Sequence, residues 1–221
     1  MNIYVIIEGE TAARKLYKNW IPLVNESLQY VDYLTDVKQN NFFILAGFGQ
    51  PYIWQRLECA VKDVNEHEVF DRLVIAIDSE DCDPRDQQLE ASARVDRMGC
   101  RVEVRYVIQH FCLETWLLGN KYMFRKNSSD VELKEYMELF NIRHDDPALL
   151  PPYTRRGWNR SQFAYHFLRA GIRDVYTGRG LLYSKKHPGP TLKKDYFSQV
   201  RSRCFDERHI LSFESFLNAF V

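Results

Sequence analysis

The sequence lacks the patterns of a secreted, membrane-spanning or zinc-binding protein. Its five cysteines are odd in number and scattered, and no two form a C-x-x-C pair, so neither a disulfide framework nor a structural zinc site is predicted. No apolar run approaches the roughly 20 residues that span a bilayer, and the chain does not start with the basic and apolar stretches of a signal peptide. We therefore expect a soluble, cytoplasmic protein that makes no membrane contact.

Two catalytic motifs are also missing. The six histidines show no H-E-x-x-H spacing, and no G-x-x-x-x-G-K-[ST] loop is present, so we expect neither a histidine-bound metal nor ATP hydrolysis by this chain. Glycine and proline are few, at ten and eight among 221 residues, and 45% of the residues are hydrophobic. This composition excludes the fibrous and disordered classes and allows one domain with an appendage.

The formal net charge of zero hides a strong polarity along the chain. Residues 1–150 carry 17 basic and 25 acidic side chains, whereas residues 151–221 carry 13 basic and 5 acidic ones. Guanidinium groups bind phosphates, and aromatic rings stack on unpaired bases. The arginines singled out as candidates for nucleic-acid binding are Arg155, Arg156, Arg160 and Arg179, with Trp158 among them. Packing of the basic segment on the acidic part, or a solvated helix face, is an equally good interpretation.

Hydrophobic periodicity predicts alternating strands and helices in the first half of the chain. Three continuous apolar runs indicate strands buried on both faces, and an alternating run indicates a more exposed edge strand. These four strands are predicted at 3–7, which is central, 41–46, 73–77 and 101–107. Helical patterns separate them, and Thr11 and Pro22 are expected to begin and limit the first helix. The order predicts an α/β fold with a mostly parallel central sheet flanked by helices.

A different pattern follows residue 110. Helices and one late strand are predicted, at 111–118, 131–140, 161–170, 191–203 and 212–220 for the helices and at 181–183 for the strand. We therefore expect an α/β core at 1–120 and a basic, helical C-terminal extension at 121–221 that completes the domain.

Carboxylates follow two of the predicted buried strands. Glu8 ends the first strand, and Asp78, Glu80 and Asp81 follow the third. Ligands of open α/β sheets bind at the carboxyl ends of the strands, so these acids are expected to meet at one rim. Clustered carboxylates repel one another unless a cation is bound, and their hard oxygens suit Mg²⁺. The pattern predicts a Mg²⁺ (or Mn²⁺) site, with ordinary polar loop residues as the alternative.

The same segments resemble the Toprim domain, the metal-dependent fold shared by topoisomerases, bacterial primases and OLD-type nucleases. I-I-E-G-E-T at 6–11 is similar to the family's apolar strand ending in Glu-Gly, and A-I-D-S-E-D at 76–81 is similar to its D-x-D motif, with Glu80 in the second acidic place. H-F-C-L-E-T-W-L-L at 110–118 resembles a segment in which an acidic residue opens a helix. Ala12 departs from the pattern, because many OLD-type relatives carry a second acid there.

The resemblance, which covers about residues 1–120, implies roles for these acids. Glu8 is assigned to metal binding or general acid–base chemistry, Asp78 and Glu80 to Mg²⁺ coordination, and Asp81 to a spare ligand position. The remaining candidates are secondary acids and a late lysine that contacts the scissile phosphate in nucleic-acid-cleaving relatives. They are Glu10 and Glu114, and Lys185 or Lys186. A buried orienting role for Glu114 and a solvated surface position for the paired lysines are the alternatives.

These observations predict a Mg²⁺-dependent Toprim nuclease that hydrolyses phosphodiester bonds in DNA or RNA, including tRNA. The resemblance also implies a bacterial or phage-related defence system, in which an ABC-type ATPase subunit is a partner. One alternative is a non-catalytic Toprim-like subunit that acts through such an ATPase. A phosphohydrolase of the haloacid dehalogenase type ranks third, because Cys82 stands where that motif requires threonine.

Overall fold

Five parallel strands form the central sheet of the computed structural model, which describes residues 1–178 and 180–221. In chain order they are β1 (Ile3–Ile7), β2 (Gln29–Val31), β3 (Asn41–Ala46), β4 (Arg72–Asp78) and β5 (Glu103–Gln109). Their order across the sheet is β2-β3-β1-β4-β5. The predicted α/β fold is confirmed, and so are the central place of β1 and the edge place of β5.

Burial explains which strands the sequence predicts well. Every residue of β1 is buried, because β3 and β4 flank it and helices cover both faces. Ile7 is level with Ala46 on one side and with Ala76 on the other. The edge strand β2 was not predicted, since it has only three residues and none of them is buried. A strand without a buried apolar run leaves no periodicity to detect.

Helices follow the strands and fill the second half of the chain. They are α1 (Ala12–Val24), α2 (Tyr52–Glu66), α3 (Pro84–Met98), α4 (Leu113–Leu117), α5 (Val131–Leu139), α6 (Arg160–Val175), α7 (Lys194–Asp206) and α8 (Phe213–Ala219). The limit predicted at Pro22 is wrong, because α1 continues past it and Asn25 N donates to Ile21 O at 2.9 Å. A proline near a helix end removes only one backbone hydrogen bond. Thr11 precedes α1 as predicted, but its side chain makes no capping hydrogen bond.

The strand predicted at 181–183 is also wrong. These residues have no regular structure. The leucines at 181 and 182 are 42% and 43% exposed, whereas Tyr183 is fully buried. The apolar run therefore reflects one anchored tyrosine and not a strand inside the sheet.

Contacts divide the chain into two units. The first contains residues 1–77, 82–108 and 215–221, and the second contains residues 78–81 and 109–214. In the first unit, Tyr4 and Ile6 of β1 belong to a core that includes Leu57 of α2 and Ala91 of α3. In the second unit, aromatic side chains of α5, α6 and the preceding loop are in mutual contact: Tyr136, Tyr153, Phe163 and Phe167. No helix in the described part of the chain is long and apolar enough to cross a bilayer.

Candidate functional site

A cavity of about 650 Å³ in the second unit brings together acids and lysines that are far apart in the sequence. The predicted site residues that line it are Asp78, Glu80, Glu114, Lys185 and Lys186. They come from the end of β4, from the first turn of α4 and from the loop after α6. The structure therefore places the D-x-E motif beside both candidate lysines and the secondary acid Glu114.

The loop after β4 is held in place by backbone hydrogen bonds. Ser79 N donates to Gln109 O at 2.9 Å, and Glu80 N donates to Phe111 O at 2.8 Å. Glu80 has a φ of +49°, in the left-handed region that non-glycine residues seldom adopt. Such strain persists only where surrounding contacts enforce it and is concentrated at functional sites. The exposed Glu80 is thus held on the cavity wall by its backbone.

Glu114 is the buried acid of this cavity. Its residue is only 4% exposed, and its carboxylate accepts a hydrogen bond from the hydroxyl of the fully buried Tyr183 at 2.9 Å. Buried carboxylates need such donors, because desolvation otherwise disfavours the charged form. The orienting role considered for Glu114 in the sequence is compatible with this geometry, and so is metal binding.

Lys185 and Lys186 are the two central residues of a tight turn. The turn is closed by backbone hydrogen bonds in both directions between Ser184 and His187, at 3.2 and 3.0 Å. Glu114 above all raises the pKa of Lys185 against the opposing effect of desolvation, and Asp78 and Glu80 add to the rise. Lys185 is therefore protonated at neutral pH and supplies the positive charge that the acids require.

Two other cavity residues are neutral at neutral pH. Burial raises the pKa of the Cys112 thiol well above its ordinary value, and the negative charges of Glu114 and Asp78 raise it further. Burial, followed by the nearby Arg169, lowers the pKa of His166, whose ring stacks on Trp158 with centroids 3.8 Å apart. A neutral thiol is a poor nucleophile, so Cys112 does not act as a covalent catalyst in this state.

The predicted arginines are engaged in ion pairs within the second unit. Arg160 binds Asp81 at 3.2 Å and lies 4.8 Å from the centre of the Phe111 ring. The other two pairs are Arg155 with Glu135 at 2.9 Å and Arg156 with Glu132 at 3.4 Å. Exposed pairs of this kind are weak and exchange readily, so they leave the arginines available to phosphates. Arg179 lies outside the described residues.

Glu8 and Glu10 belong to the first unit. Glu8 directly follows β1, its N–H donates to Ala76 O at 2.9 Å, and its carbonyl oxygen accepts from Gly49 N at 2.8 Å. A Cβ at Gly47 would lie 2.9 Å from Ile7 O, so only glycine lets the loop after β3 approach β1 this closely. Glu10 is exposed two residues before α1. A metal site that combines Glu8 with Asp78 and Glu80 stays a prediction.

The donor atoms fit Mg²⁺ by their chemistry. In residues 1–178 and 180–221, no three His, Cys, Asp or Glu side chains are grouped closely enough to hold a metal ion. Magnesium keeps several waters, however, and is commonly held by one or two carboxylates together with substrate phosphates. Asp78, Glu80 and Glu114 line one cavity and offer hard oxygen donors of this type.

Sequence reasoning missed much of the cavity wall. The unpredicted lining residues are Cys112, Asn159, Ser161, Gln162, Tyr165, His166, Ser184 and His187. Several belong to the start of α6, which is fixed by a capping box in which Asn159 accepts from Gln162 N at 2.8 Å and Gln162 accepts from Asn159 N at 3.1 Å. The N-x-x-Q spacing is a helix-start signal, but it carries no information about the cavity that the helix faces.

Comparisons with protein-family models, with curated proteins and with solved structures found no match to this chain.

Proposed function

We propose that the cavity of the second unit binds a phosphodiester of a nucleic acid and hydrolyses it with Mg²⁺. The observation that supports this proposal most is the presence of Lys185 with Asp78, Glu80 and Glu114 in one cavity. A cation and carboxylates that line one cavity can bind a phosphate and, together with that phosphate, a metal ion. From the sequence, the resemblance to Toprim nucleases suggested Asp78 and Glu80, the secondary acid Glu114, and Lys185 or Lys186 as alternatives.

Each charged side chain of the cavity would have its own role in the reaction. Asp78 and Glu80 would hold Mg²⁺, which would supply Lewis-acid stabilisation of negative charge on the phosphate. Glu114, oriented by Tyr183, acts as a further ligand or as the partner that keeps Lys185 charged. Lys185 contacts a phosphate oxygen, where its charge is most useful as negative charge develops. Glu8, to which the resemblance assigns metal binding or acid–base chemistry, belongs to the first unit and is given no role in this cavity.

Three arginines of the same unit support a nucleic acid as the substrate class. Arg155, Arg156 and Arg160 lie on the same unit in exposed, exchangeable ion pairs. Guanidinium groups bind phosphates in two-pronged geometry, and a polymer with a phosphate at each residue would contact several of them. The choice between DNA and RNA, and the partnership with an ABC-type ATPase in a defence system, belong to the proposal as the resemblance implies them.

The decisive experiment combines cleavage with metal binding. Purified protein is incubated with plasmid, linear DNA and tRNA in Mg²⁺, Mn²⁺ or EDTA, and Mg²⁺ binding is measured separately by calorimetry. We expect metal-dependent cleavage that Asp78→Asn and Glu114→Gln each reduce at least 100-fold, and weaker Mg²⁺ binding by Asp78→Asn. Asp86→Asn, at an exposed acid of α3, is the matched control and leaves both unchanged.

Three outcomes would reject the proposal. Cleavage that persists in EDTA, or that Asp78→Asn does not affect, would show that this cavity is not the nuclease centre. The absence of both Mg²⁺ binding and cleavage of the three substrates would favour the non-catalytic subunit, whose acids hold no metal.

A further inference from the structure

A second surface feature lies in the first unit, on the loop after β3 and the first two turns of α2. It is a shallow cavity of about 480 Å³ lined by Phe48, Tyr52, Gln55, Arg56 and Cys59. We call it the aromatic pocket. The four α2 residues are spaced i, i+3, i+4 and i+7 and therefore share one helix face. None of them belongs to the acidic cavity described above.

Both aromatic rings of the pocket are open to solvent. Phe48 is 48% exposed and Tyr52 is 59% exposed. Large rings that are left this open in one cluster commonly mark a binding surface. The guanidinium of Arg56 lies over the Phe48 ring, 5.1 Å from its centre, so the pocket combines one cation with two exposed aromatic rings.

The backbone holds Phe48 outward at a conformational cost. Its φ of +63° lies in the left-handed region, which a bulky residue adopts only when surrounding contacts enforce it. The flanking glycines provide those contacts: Gly47 N donates to Ile7 O at 2.7 Å and Gly49 N donates to Glu8 O at 2.8 Å. Asparagine or glycine would adopt this backbone conformation more easily. The presence of a phenylalanine here, with its ring exposed, therefore needs a functional explanation.

We propose that the aromatic pocket binds an unpaired base of a nucleic-acid strand. A base stacks on Phe48 and Tyr52, Gln55 offers an amide to its polar edge, and Arg56 binds the neighbouring phosphate. Aromatic platforms combined with cations are the general means by which proteins bind single strands. The inference rests on the proposed function for its ligand class, and it adds that the substrate presents a single-stranded base.

Gly49 connects the pocket to the predicted acid Glu8. Its N–H binds the carbonyl oxygen of Glu8, and Phe48 is the adjacent residue. A base stacked on Phe48 would hold its strand beside the carboxyl end of β1. The aromatic pocket would therefore position a strand next to Glu8, and it would not itself take part in bond cleavage.

The test compares two oligonucleotides of equal length and charge in EDTA. One is a fluorescent deoxythymidine oligonucleotide, and the other has abasic sites in place of its bases. We expect the protein to bind the first at least 10-fold more tightly, because stacking contributes about 1–3 kcal/mol per base. Phe48→Ala and Tyr52→Ala should each remove most of this difference, whereas Phe48→Trp should retain it. Tyr33→Ala, at another exposed tyrosine of the first unit, is the matched control.

Cys59 gives an independent readout. Its exposed thiol lines the pocket, so the thymidine oligonucleotide should slow its alkylation, measured by mass spectrometry, and the abasic one should not.

Equal affinity for both oligonucleotides together with unprotected Cys59 would overturn the inference. If cleavage occurs but the Phe48 and Tyr52 variants change nothing, only this inference fails. If base-dependent binding occurs without metal-dependent cleavage, only the proposed function fails. If the free thymidine nucleotide protected Cys59 from alkylation and the thymidine oligonucleotide did not, a strand-binding role would also be rejected.

Discussion

Tyr183 donates a hydrogen bond from its hydroxyl to the Glu114 carboxylate at 2.9 Å, and both residues are buried. The two residues are separated by 69 positions in the sequence. This one bond fixes the buried acid of the cavity and anchors the segment that leads directly into Lys185 and Lys186. It therefore connects stability with the proposed chemistry.

Removal of that hydroxyl should destabilise the fold. Tyr183→Phe leaves a buried carboxylate without its donor, and hydrogen bonds to charged groups contribute about 1.5–3 kcal/mol. We expect the free energy of unfolding, measured with urea, to fall by about 2 kcal/mol. The control is Tyr196→Phe, because the Tyr196 hydroxyl binds the uncharged carbonyl oxygen of Leu117 at 2.7 Å, and its loss should be about 1 kcal/mol. Equal losses in the two variants would argue against a charged Glu114.

Stability should decrease in alkaline solution. Burial, which is the largest cause in each case, raises the pKa values of Tyr4, Tyr183 and Tyr196 above the ordinary value of 10. The unfolded chain therefore loses these protons first, so the contribution is complete below pH 10 and is lost as pH rises above it. Each of these groups contributes a slope of up to about 1.4 kcal/mol per pH unit above pH 10.

Urea unfolding between about pH 8 and 11 measures this slope. Tyr183→Phe should make it less steep by up to about 1.4 kcal/mol per pH unit, whereas Tyr33→Phe, at a tyrosine that is 68% exposed, should leave it unchanged. Stability that stays constant above pH 10 would show that the three hydroxyls ionise as easily in the folded protein as in the unfolded chain.

Much of the sheet could be predicted from the sequence because its central strands are buried on both faces. The apolar runs that became β1, β3 and β4 leave few alternatives to an internal strand. The edge strand β2 gave no such signal, since its three residues are exposed or half-buried. The run at 181–183 gave a false signal, because Tyr183 is buried in order to bind Glu114 and not to join a sheet.

Part of the candidate site was predicted from the sequence. The expectation that acids at strand ends meet at one rim gave Asp78 and Glu80, and the resemblance added Glu114 and Lys185 or Lys186 as candidates. The presence of Glu114 and Lys185 in the same cavity depends on how α4, α6 and the turn at 184–187 lie in three dimensions. No local pattern encodes that arrangement, and the roles of Tyr183 and His166 could not be deduced without it.

The exposed arginine pairs make a testable prediction about binding. Arg155 pairs with Glu135, and Tyr153 also donates to that carboxylate. If phosphates compete with Glu135 for Arg155, Arg155→Gln should weaken binding to all sequences alike and reduce the slope of log affinity against log salt by about 1. Glu135→Gln should have the opposite effect and strengthen binding by about 2-fold. Fluorescence titrations of DNA and RNA at several salt concentrations measure both quantities, and no change in either variant would remove Arg155 from the binding surface.

The two neighbouring lysines should separate catalysis from binding. Lys185 has its pKa raised by Glu114, Asp78 and Glu80, so its charge is concentrated where the phosphate is proposed to lie. Lys185→Ala should therefore lower the single-turnover cleavage rate about 100-fold or more while changing affinity less than about 5-fold, because a charge at the reacting phosphate acts mainly in the transition state. Lys186→Ala should weaken affinity and rate in proportion, as expected for a general electrostatic contact. Lys185→Arg tests whether charge alone is sufficient, since it keeps the charge but changes its geometry. Proportional losses of rate and affinity in both alanine variants would place Lys185 on the general electrostatic surface and leave the proposed nuclease without its catalytic lysine.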